Sequence, residues 1–303
     1  MKKIRIASRE SQLAIWQSNF IAQKIKEHNP NIETEVICFK TQGDIILDQP
    51  LASIGGKGLF IKELEQALLN NDADIAVHSM KDMPMEIISD FKICAITDRE
   101  NPSDAFVSNK FKSLKDLPEN SIIGTSSLRR QSQIRAQFPN IEIKTLRGNL
   151  QTRLRKLDAG EYDAIILASA GLIRLDLANR ISDFIDLDFS IPAVGQGALG
   201  IEILKNNHAV EELVQFLNHQ DTMLCVNTER MVSRGLAGSC TVPLGAYAKI
   251  INQSIYLKAF VAKPDGSQII YSEKNGPIFH HEEVAENVVE DLKSQGALKI
   301  LNQ

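Results

Sequence analysis

The sequence predicts an α/β protein of three domains, the first two built on mainly parallel sheets and the third a small α+β domain. Short apolar runs alternate with stretches of helical periodicity, which is typical of βαβ units. Two polar or glycine-rich breaks, at 97–103 and 191–197, enclose a middle block. After a third break near 218–221, the sequence pattern changes from alternating strands and helices to successive strands. The length of 303 residues fits more than one domain at about 150 residues each.

The predicted elements follow in order along the chain. The first block has strand 4–7, helix 13–25, strand 33–39, helix 60–68, strand 74–78 and strand 91–96. Ser11 can cap the first helix, because its hydroxyl can accept a hydrogen bond from a free N–H of the first turn. The middle block has strands at 105–107, 121–124, 141–144 and 162–168, with helices that begin near 126 and 149. The last block has strands at 244–250, 255–261 and 268–272, then helix 282–293.

The two breaks around the middle block predict an inserted domain that the chain enters and leaves through paired hinges. The expected bounds are 1–98 plus 195–218 for domain 1, 99–194 for domain 2 and 219–303 for domain 3.

Composition excludes several classes of protein. Lys and Arg number 34 against 38 Asp and Glu, a net charge of −4, which argues against a strongly basic nucleic-acid binder. No apolar run approaches the roughly 18 residues of a membrane helix. The first residues, MKKIRIASRES, lack the apolar region of a signal peptide, so we expect a cytoplasmic protein. The cysteines are far apart, so we expect neither a disulfide framework nor a metal site.

Positive charge is concentrated in residues 125–180, which contain eight Arg and two Lys against five acidic residues. A solvated basic face is one explanation, but arginine is the residue that binds carboxylate or phosphate in a bidentate way. Arg129 and Arg130 fall in the first turn of a predicted helix, where cations oppose the helix dipole unless an anion binds there. On the next helix, the leucine stripe turns Arg153 toward an inner cleft and Arg155 toward solvent.

The first block offers a matching set of residues. Arg9 and Ser11 lie between the first strand and the first helix, and Lys81 and Asp82 follow the strand at 74–78. In open α/β sheets, ligands bind outside the carboxyl ends of the strands. Two such domains with anion-holding loops favour a polyanionic ligand in the cleft between them.

Single residues elsewhere carry weaker signals. The stretch 55–58 (GGKG) lacks the pattern of a phosphate-binding loop and better fits a mobile loop that covers the cleft. Cys38, Cys94 and Cys225 lie in apolar runs and are expected in the core. Cys240 lies in a glycine-rich loop, where it could be an exposed nucleophile or an attachment point. His78 is interpreted as a strand-end residue bonded to backbone.

Several long motifs of the sequence resemble those of one family, the porphobilinogen deaminases, also called hydroxymethylbilane synthases. They run through nearly the whole chain as 5–14 (RIASRESQLA), 55–60 (GGKGLF), 78–84 (HSMKDMP), 124–130 (GTSSLRR), 146–149 (LRGN), 192–197 (PAVGQG) and the Cys240 loop. Ser8 and Ser239 are small departures from the family's more common threonine and glycine.

The resemblance implies a fold of three domains, the first two like those of periplasmic binding proteins, and it implies a reaction and a cofactor. Four porphobilinogen molecules condense head to tail with loss of ammonia, and water then releases the linear tetrapyrrole hydroxymethylbilane. The chain grows on a dipyrromethane primer, which the enzyme assembles from substrate and holds by a thioether, here at Cys240.

The resemblance also implies roles for individual residues. Asp82 is the expected catalytic carboxylate, because loss of ammonia needs a proton on the leaving amine and leaves a cationic ring. The expected cofactor-binding residues are Cys240, Asp82, Lys81, Ser127, Arg129 and Arg130. The expected substrate-binding residues are Arg9, Ser11, Thr125, Ser126, Arg147, Arg153 and Arg174, and Lys57 and Phe60 belong to the expected lid loop.

Two other hypotheses use the same residues. A non-catalytic two-domain anion-binding protein would need the cleft but neither Cys240 nor Asp82. A nucleic-acid-binding protein would use the arginines, but residues 125–180 contain only Phe138 and Tyr162 as aromatic residues, too few for stacking on single strands. We therefore expect porphobilinogen as the partner, no nucleic acid, no membrane and a monomer.

Overall fold

Three β-sheets organise the chain in a computed structural model that describes residues 2–45, 61–236 and 242–301. The strands of this part are β1 (Lys3–Arg9), β2 (Glu33–Phe39), β3 (Ile75–Ser79), β4 (Phe91–Ile96), β5 (Asp104–Val107), β6 (Ile122–Gly124), β7 (Glu142–Lys144), β8 (Ala164–Ala168), β9 (Asp183–Phe184), β10 (Leu199–Leu204), β11 (Leu244–Ile251), β12 (Ser254–Ala262) and β13 (Ile269–Pro277). The α-helices are α1 (Gln12–His28), α2 (Gln42–Ile45), α3 (Lys62–Leu69), α4 (Leu128–Gln137), α5 (Leu150–Asp158), α6 (Ser169–Arg174), α7 (His208–Val214), α8 (Gln220–Gly235), α9 (His281–Ser294) and α10 (Ala297–Leu301). Within those ranges, every helix is too short or too polar to cross a lipid bilayer.

The first sheet has the strand order β2-β1-β3-β10-β4. β1 is parallel to β2 and β3, whereas β10 runs antiparallel to β3 and β4. Its central strands are almost wholly buried, as expected for a sheet covered by helices on both faces. α1 begins where Ser11 accepts a hydrogen bond from the N–H of Ala14 at 3.3 Å, and it packs Ile21 and Ile25 into the core of this sheet.

The second sheet repeats this arrangement, with the order β7-β6-β8-β5-β9. β6 is parallel to β7 and β8, and β5 runs antiparallel to β8 and β9. The chain therefore leaves the first sheet after β4, builds the second sheet from β5 to β9, and returns to the first sheet at β10. The predicted middle block, entered and left through paired connections, agrees with this path.

The third sheet is antiparallel, with the order β11-β12-β13. α8 and α9 pack against it, and their buried side chains form one apolar cluster with the inward-facing residues of β11 and β12. The close approach of these helices requires Gly235 at the end of α8, because a Cβ there would lie 2.8 Å from the Val289 side chain. The predicted α/β class with a small α+β unit at the end is confirmed.

The two connections between the first and second sheets lie against each other. The N–H of Glu100 donates to the carbonyl oxygen of Gly197 at 3.1 Å, and the amide of Gln196 donates to the carbonyl oxygen of Pro102 at 2.7 Å. Gly197 has a φ of +93°, and a Cβ at this position would overlap the Glu100 carbonyl oxygen. The contact therefore needs glycine both for its backbone conformation and for its size.

Glu229 of α8 fastens the third sheet to these connections. Its carboxylate is fully buried and forms an ion pair with Arg99 of the first connection. It also accepts from the N–H of Gly195 in the second connection at 2.7 Å and from the N–H of Ala248 in β11 at 2.8 Å. One buried side chain thus joins both connections and the third sheet.

Some sequence-based expectations were wrong or incomplete. The pattern did not predict β9, β10, α2, α6, α7, α8 and α10. Cys38 is exposed rather than in the core, because β2 is an edge strand of its sheet. His78 contacts a side chain rather than backbone, since its Nε2 lies 2.9 Å from the buried Glu202 carboxylate.

Replacement of Gly197 should weaken the contact between the connections. Gly197→Ala combines an unfavourable φ with a steric overlap, so we expect it to lower the free energy of unfolding by about 3 kcal/mol. Gly296→Ala is the matched control, because Gly296 has a similar φ of +97° but no heavy atom within 4 Å of the added Cβ. It should cost only about 1 kcal/mol. Denaturant unfolding of both variants checks this, and equal losses would contradict the proposed steric overlap.

Candidate active site

The residues that the sequence singles out lie in loops at the carboxyl ends of parallel strands of two sheets. Arg9 ends β1, and Lys81 and Asp82 lie in the 3-10 turn that follows β3. In the second sheet, the Thr125–Ser127 segment follows β6 and Arg147 follows β7. An added Cβ on Gly171 of α6 would lie 3.5 Å from Leu13 of α1. The second sheet's loops therefore approach the start of the first helix, as the rule for open α/β sheets predicts.

Arg129 and Arg130 are both buried and share one carboxylate. Arg129 Nη2 donates to Asp104 at 2.8 and 3.0 Å, and Arg130 donates through Nε at 2.9 Å and Nη2 at 2.7 Å. Arg129 also donates to the Ile191 carbonyl oxygen, and Arg130 to that of Ile166. Asp104 is the first residue of β5 and is fully buried. Asp104, a carboxylate of the chain itself, thus partly offsets the unfavourable position of two cations at the start of α4.

The charges of this group act strongly on one another. Burial alone would raise the pKa of Asp104, but the guanidinium groups of Arg129 and Arg130 outweigh burial and hold that pKa well below its usual range. Burial also lowers the pKa of Arg129, and the neighbouring charge of Arg130 adds to this effect. One carboxylate for two guanidinium groups leaves an excess of positive charge.

Lys81 of the first sheet belongs to the same group. The pKa of Lys81 is lowered to about 8, mainly by burial; the charges of Arg130 and Arg129 contribute to the lowering, and those of Asp82 and Asp104 oppose it. The Asp82 side chain is exposed. A lysine of one sheet therefore shares an electrostatic environment with two arginines of the other, and an anion bound among them would be stabilised.

Arg153 and Arg155 point in the different directions that the leucine stripe predicts. Arg155 is exposed, whereas Arg153 is partly covered and its Nε donates to the Gly148 carbonyl oxygen at 2.8 Å. The pKa of Arg153 is lowered to about 10, mainly by burial; the charge of Arg130 contributes to the lowering, and that of Asp82 opposes it. Arg153 thus joins the cationic group formed by Lys81, Arg129 and Arg130, which we call the cationic cluster.

The other predicted residues occupy the margins of this cluster or have structural partners. Arg147 is partly covered and its charge acts on Arg153. Arg174 is buried in α6 and donates to the Gly197 carbonyl oxygen at 2.6 Å, so it supports the connection between the sheets. Burial lowers the pKa of Arg174 to about 10. Arg9, at the end of β1, is partly covered.

The predicted hydroxyl groups differ in how they are used. Ser11 caps α1, and Ser126 donates to the Leu146 carbonyl oxygen at 2.7 Å. Thr125 Oγ1 accepts from the N–H of Ser127 at 3.2 Å. Ser127 precedes α4 without a side-chain capping bond, which leaves its hydroxyl for a ligand at that helix start.

Three predicted residues, Lys57, Phe60 and Cys240, lie outside the described residues. Over the ranges that the structure does describe, no group of three or more His, Cys, Asp or Glu side chains could hold a metal ion.

Sequence reasoning missed Asp104, Gln196 as an individual contact, and Glu229. Asp104 had an indirect signal, since two adjacent buried arginines require a countercharge. Gln196 lay inside a recognised motif without an assigned role. Glu229 had no such signal, because a glutamate within a helix is usually solvated.

Comparison with known proteins assigns the chain to a family. Residues 4–212 match the family model described as porphobilinogen deaminase, dipyromethane cofactor binding domain. Residues 223–294 match the porphobilinogen deaminase C-terminal domain. The chain belongs to the porphobilinogen deaminase family. The sequence-based recognition of this family, and of its dipyrromethane cofactor, is therefore confirmed.

Curated relatives agree over their full length. The porphobilinogen deaminase of Nitrosomonas europaea is 55% identical over 99% of this chain and 97% of its own. That of Thiobacillus denitrificans is 50% identical over 100% of this chain and 99% of its own. Among solved structures, lipoprotein Tp32 of Treponema pallidum aligns with 70% of this chain and 88% of its own, at 14% identity and a TM-score of 0.45.

The low pKa of Lys81 can be measured directly. Lys81 should be charged below pH 8 and lose its proton above it, so its attraction for anions should weaken as the pH rises. In Cys240→Ser, in which the expected thioether cannot form, the Lys81 signal after reductive ¹³C-methylation, assigned with Lys81→Arg, should titrate near pH 8. Lys258 is the internal control, because its hydrogen bond with Asp188 raises its pKa above 10.5. A Lys81 signal that titrates together with Lys258 would contradict the burial of this charge.

Proposed function

We propose that the protein is a deaminating transferase that joins four porphobilinogen molecules head to tail on a covalently bound dipyrromethane primer. The products are ammonia and the linear tetrapyrrole hydroxymethylbilane, in the biosynthesis of tetrapyrroles. The observation that carries this proposal is the cationic cluster, which brings Lys81 of the first sheet to Arg129, Arg130 and Arg153 of the second, beside Asp82.

The charge of the cluster fits a dipyrromethane. Each pyrrole ring of the primer carries an acetate and a propionate, so two rings present four carboxylates. The cations of the cluster outnumber Asp82 and Asp104, and burial lowers the pKa of Lys81, which is the expected condition of a site that receives anions. Lys81, Ser127, Arg129 and Arg130 would hold the primer, which supplies the pyrrole carbon to which the first substrate is joined. Cys240 would hold it through a thioether.

The remaining predicted residues would serve the substrate and the growing chain. Arg9, Ser11, Thr125, Ser126, Arg147, Arg153 and Arg174 are the proposed substrate-binding residues. Arg147 and Arg153 can neutralise carboxylates as the ring number increases, because Arg153 belongs to the cluster and the charge of Arg147 acts on it. Lys57 and Phe60 are proposed to belong to the lid loop.

Asp82 is the proposed catalytic residue. Its carboxylate is exposed and adjacent to Lys81 and Arg153, so it can reach a ligand whose own carboxylates those cations hold. There it can exchange a proton with the leaving amine nitrogen and stabilise the positive charge that develops on the pyrrole ring. Asp104 cannot take this role, because its oxygens are already engaged with arginines.

The broader assignments are proposals of the same kind. The three sheets support domain bounds of 1–98 plus 195–218, 99–194 and 219–303, with the first two domains forming the walls of the cleft. We propose that the enzyme works as a cytoplasmic monomer and that porphobilinogen is its partner rather than a nucleic acid.

Covalent attachment provides the decisive test. Intact-mass analysis of the purified protein should detect an adduct of dipyrromethane size, and Cys240→Ser should lose both the adduct and the turnover of porphobilinogen. Cys38→Ser is the control, because Cys38 is also a thiol without a disulfide and is exposed; it should keep both. Wild-type protein without an adduct and without turnover would instead favour a non-catalytic anion-binding protein.

Removal of the Asp82 charge should separate catalysis from attachment. Asp82→Asn keeps the shape of the side chain, so we expect the variant to fold, to keep its adduct and to lose turnover by about 100-fold or more. Glu86→Gln is the matched control, since Glu86 is an exposed carboxylate close by in sequence. Steady-state rates of both variants, with their masses, check this. Normal turnover of Asp82→Asn would remove Asp82 from the mechanism.

A further inference from the structure

Asp104 has more hydrogen-bond partners than its two ion pairs with arginine. Besides Arg129 and Arg130, its carboxylate accepts from the hydroxyl of Ser190 at 2.9 Å and from the amide of Gln196 at 3.0 Å. All of these partners except Gln196 belong to the second sheet or its loops. The carboxylate is fully buried, and these partners come from three separate parts of the chain.

The arrangement solves a packing problem of the arginine pair. Adjacent residues of a helix point about 100° apart, and two guanidinium groups repel each other when they are buried close together. Asp104 draws both groups to one point and neutralises one of the two charges. Each guanidinium has five N–H donors, and Asp104, Ile166 and Ile191 occupy only some of them. Donors therefore remain for a ligand.

Gln196 connects this point to the chain that returns to the first sheet. Its amide donates to Asp104 and also to the Pro102 carbonyl oxygen in the other connection at 2.7 Å. The Gln196 carbonyl oxygen in turn accepts from Arg99, the partner of Glu229. The position of the arginine pair is thus fixed relative to both connections between the sheets.

We propose that Asp104 is a positioning residue for the reaction, which holds Arg129 and Arg130 at the place where they bind the carboxylates of the primer. It does not touch the reacting atoms, and it acts through the two arginines. The inference rests on the proposed function, because it takes the bound carboxylates to be those of the dipyrromethane. Since small displacements of a reactive group can cost about 100-fold in rate, a displaced primer should react slowly even though it stays attached.

This role makes a prediction about kcat and KM. In Asp104→Asn the shape is kept and the charge is lost, so the arginines and the primer should shift while the substrate-binding arginines stay in place. We expect kcat to fall at least tenfold, KM to change less than threefold, and the covalent adduct to remain. Asp163→Asn is the matched control, because Asp163 is a carboxylate of the same sheet that accepts from the Ile122 N–H and contacts no arginine. It should keep kcat and KM.

Chemical rescue distinguishes positioning from a purely structural effect. Asp104→Ala leaves space for a small carboxylate between the two guanidinium groups, so formate should restore kcat several-fold. Formamide, a neutral molecule of similar size, should not, and sodium chloride at equal ionic strength controls for screening. The rates are measured at a temperature at which circular dichroism finds the variant fully folded with and without formate. Rescue that is equal for formate and formamide would overturn the proposal.

Milder variants keep the proposal testable if both Asp104 variants fail to fold. Ser190→Ala and Gln196→Met each remove one donor to Asp104 and leave its arginine pairs, and each should lower kcat two- to fivefold with KM unchanged. Unchanged kcat in both would overturn the inference. If the wild-type protein carries no adduct, the proposed function itself fails. That outcome is distinguishable from a failure of the Asp104 proposal, in which the adduct is present but kcat does not change.

Discussion

Buried positive charge between two sheets is the constraint on which the rest of this structure depends. Removing an ion from water costs several kcal/mol even after the protein relaxes, and Arg129, Arg130 and part of Arg153 lie out of solvent. Asp104 balances one of these charges. A cluster that is left cationic is poorly stabilised by the protein alone, and it is therefore prepared to receive carboxylates of a ligand.

The path of the chain explains how charges from distant parts of the sequence meet. Both large sheets have the same arrangement of strand directions, with one antiparallel strand between the third parallel strand and the edge strand. The loops at the carboxyl ends of the parallel strands carry the charged residues. The two connections cross side by side, and Gln196, Gly197 and Glu229 join them to each other and to the third sheet. Glu229 lies on α8, and α8 is also the described helix that precedes Cys240 in the sequence. One helix therefore links the connections between the sheets, along the chain, to the proposed attachment site.

Much of this could be predicted because it depends on local pattern. The bounds of β2 and β4 agree with the predicted strands, and the N-cap of α1 is Ser11, the residue expected there. The contrast between Arg153 and Arg155 follows from helical periodicity alone. These features need only the chemistry of a short segment.

The elements that were missed depend on distant parts of the chain. β10 follows a glycine-rich stretch that indicates a loop, and its partners β3 and β4 lie about a hundred residues earlier in the sequence. α8 buries Thr228, Glu229 and Ser233, which interrupts the apolar stripe by which a helix is recognised. These polar residues are buried because other segments supply their partners, and no local pattern contains that information.

The two carboxylates of the cleft, Asp104 and Asp82, lie in opposite environments. Asp104 is fully buried, and Arg129 and Arg130 hold its pKa well below its usual range, which favours the ionised carboxylate. Asp82 is exposed beside Lys81. A carboxylate that is permanently charged and fully bonded can fix other groups but cannot exchange protons, whereas an accessible carboxylate beside a bound ligand can. The proposed division of labour between a positioning and a catalytic aspartate therefore rests on this difference in burial.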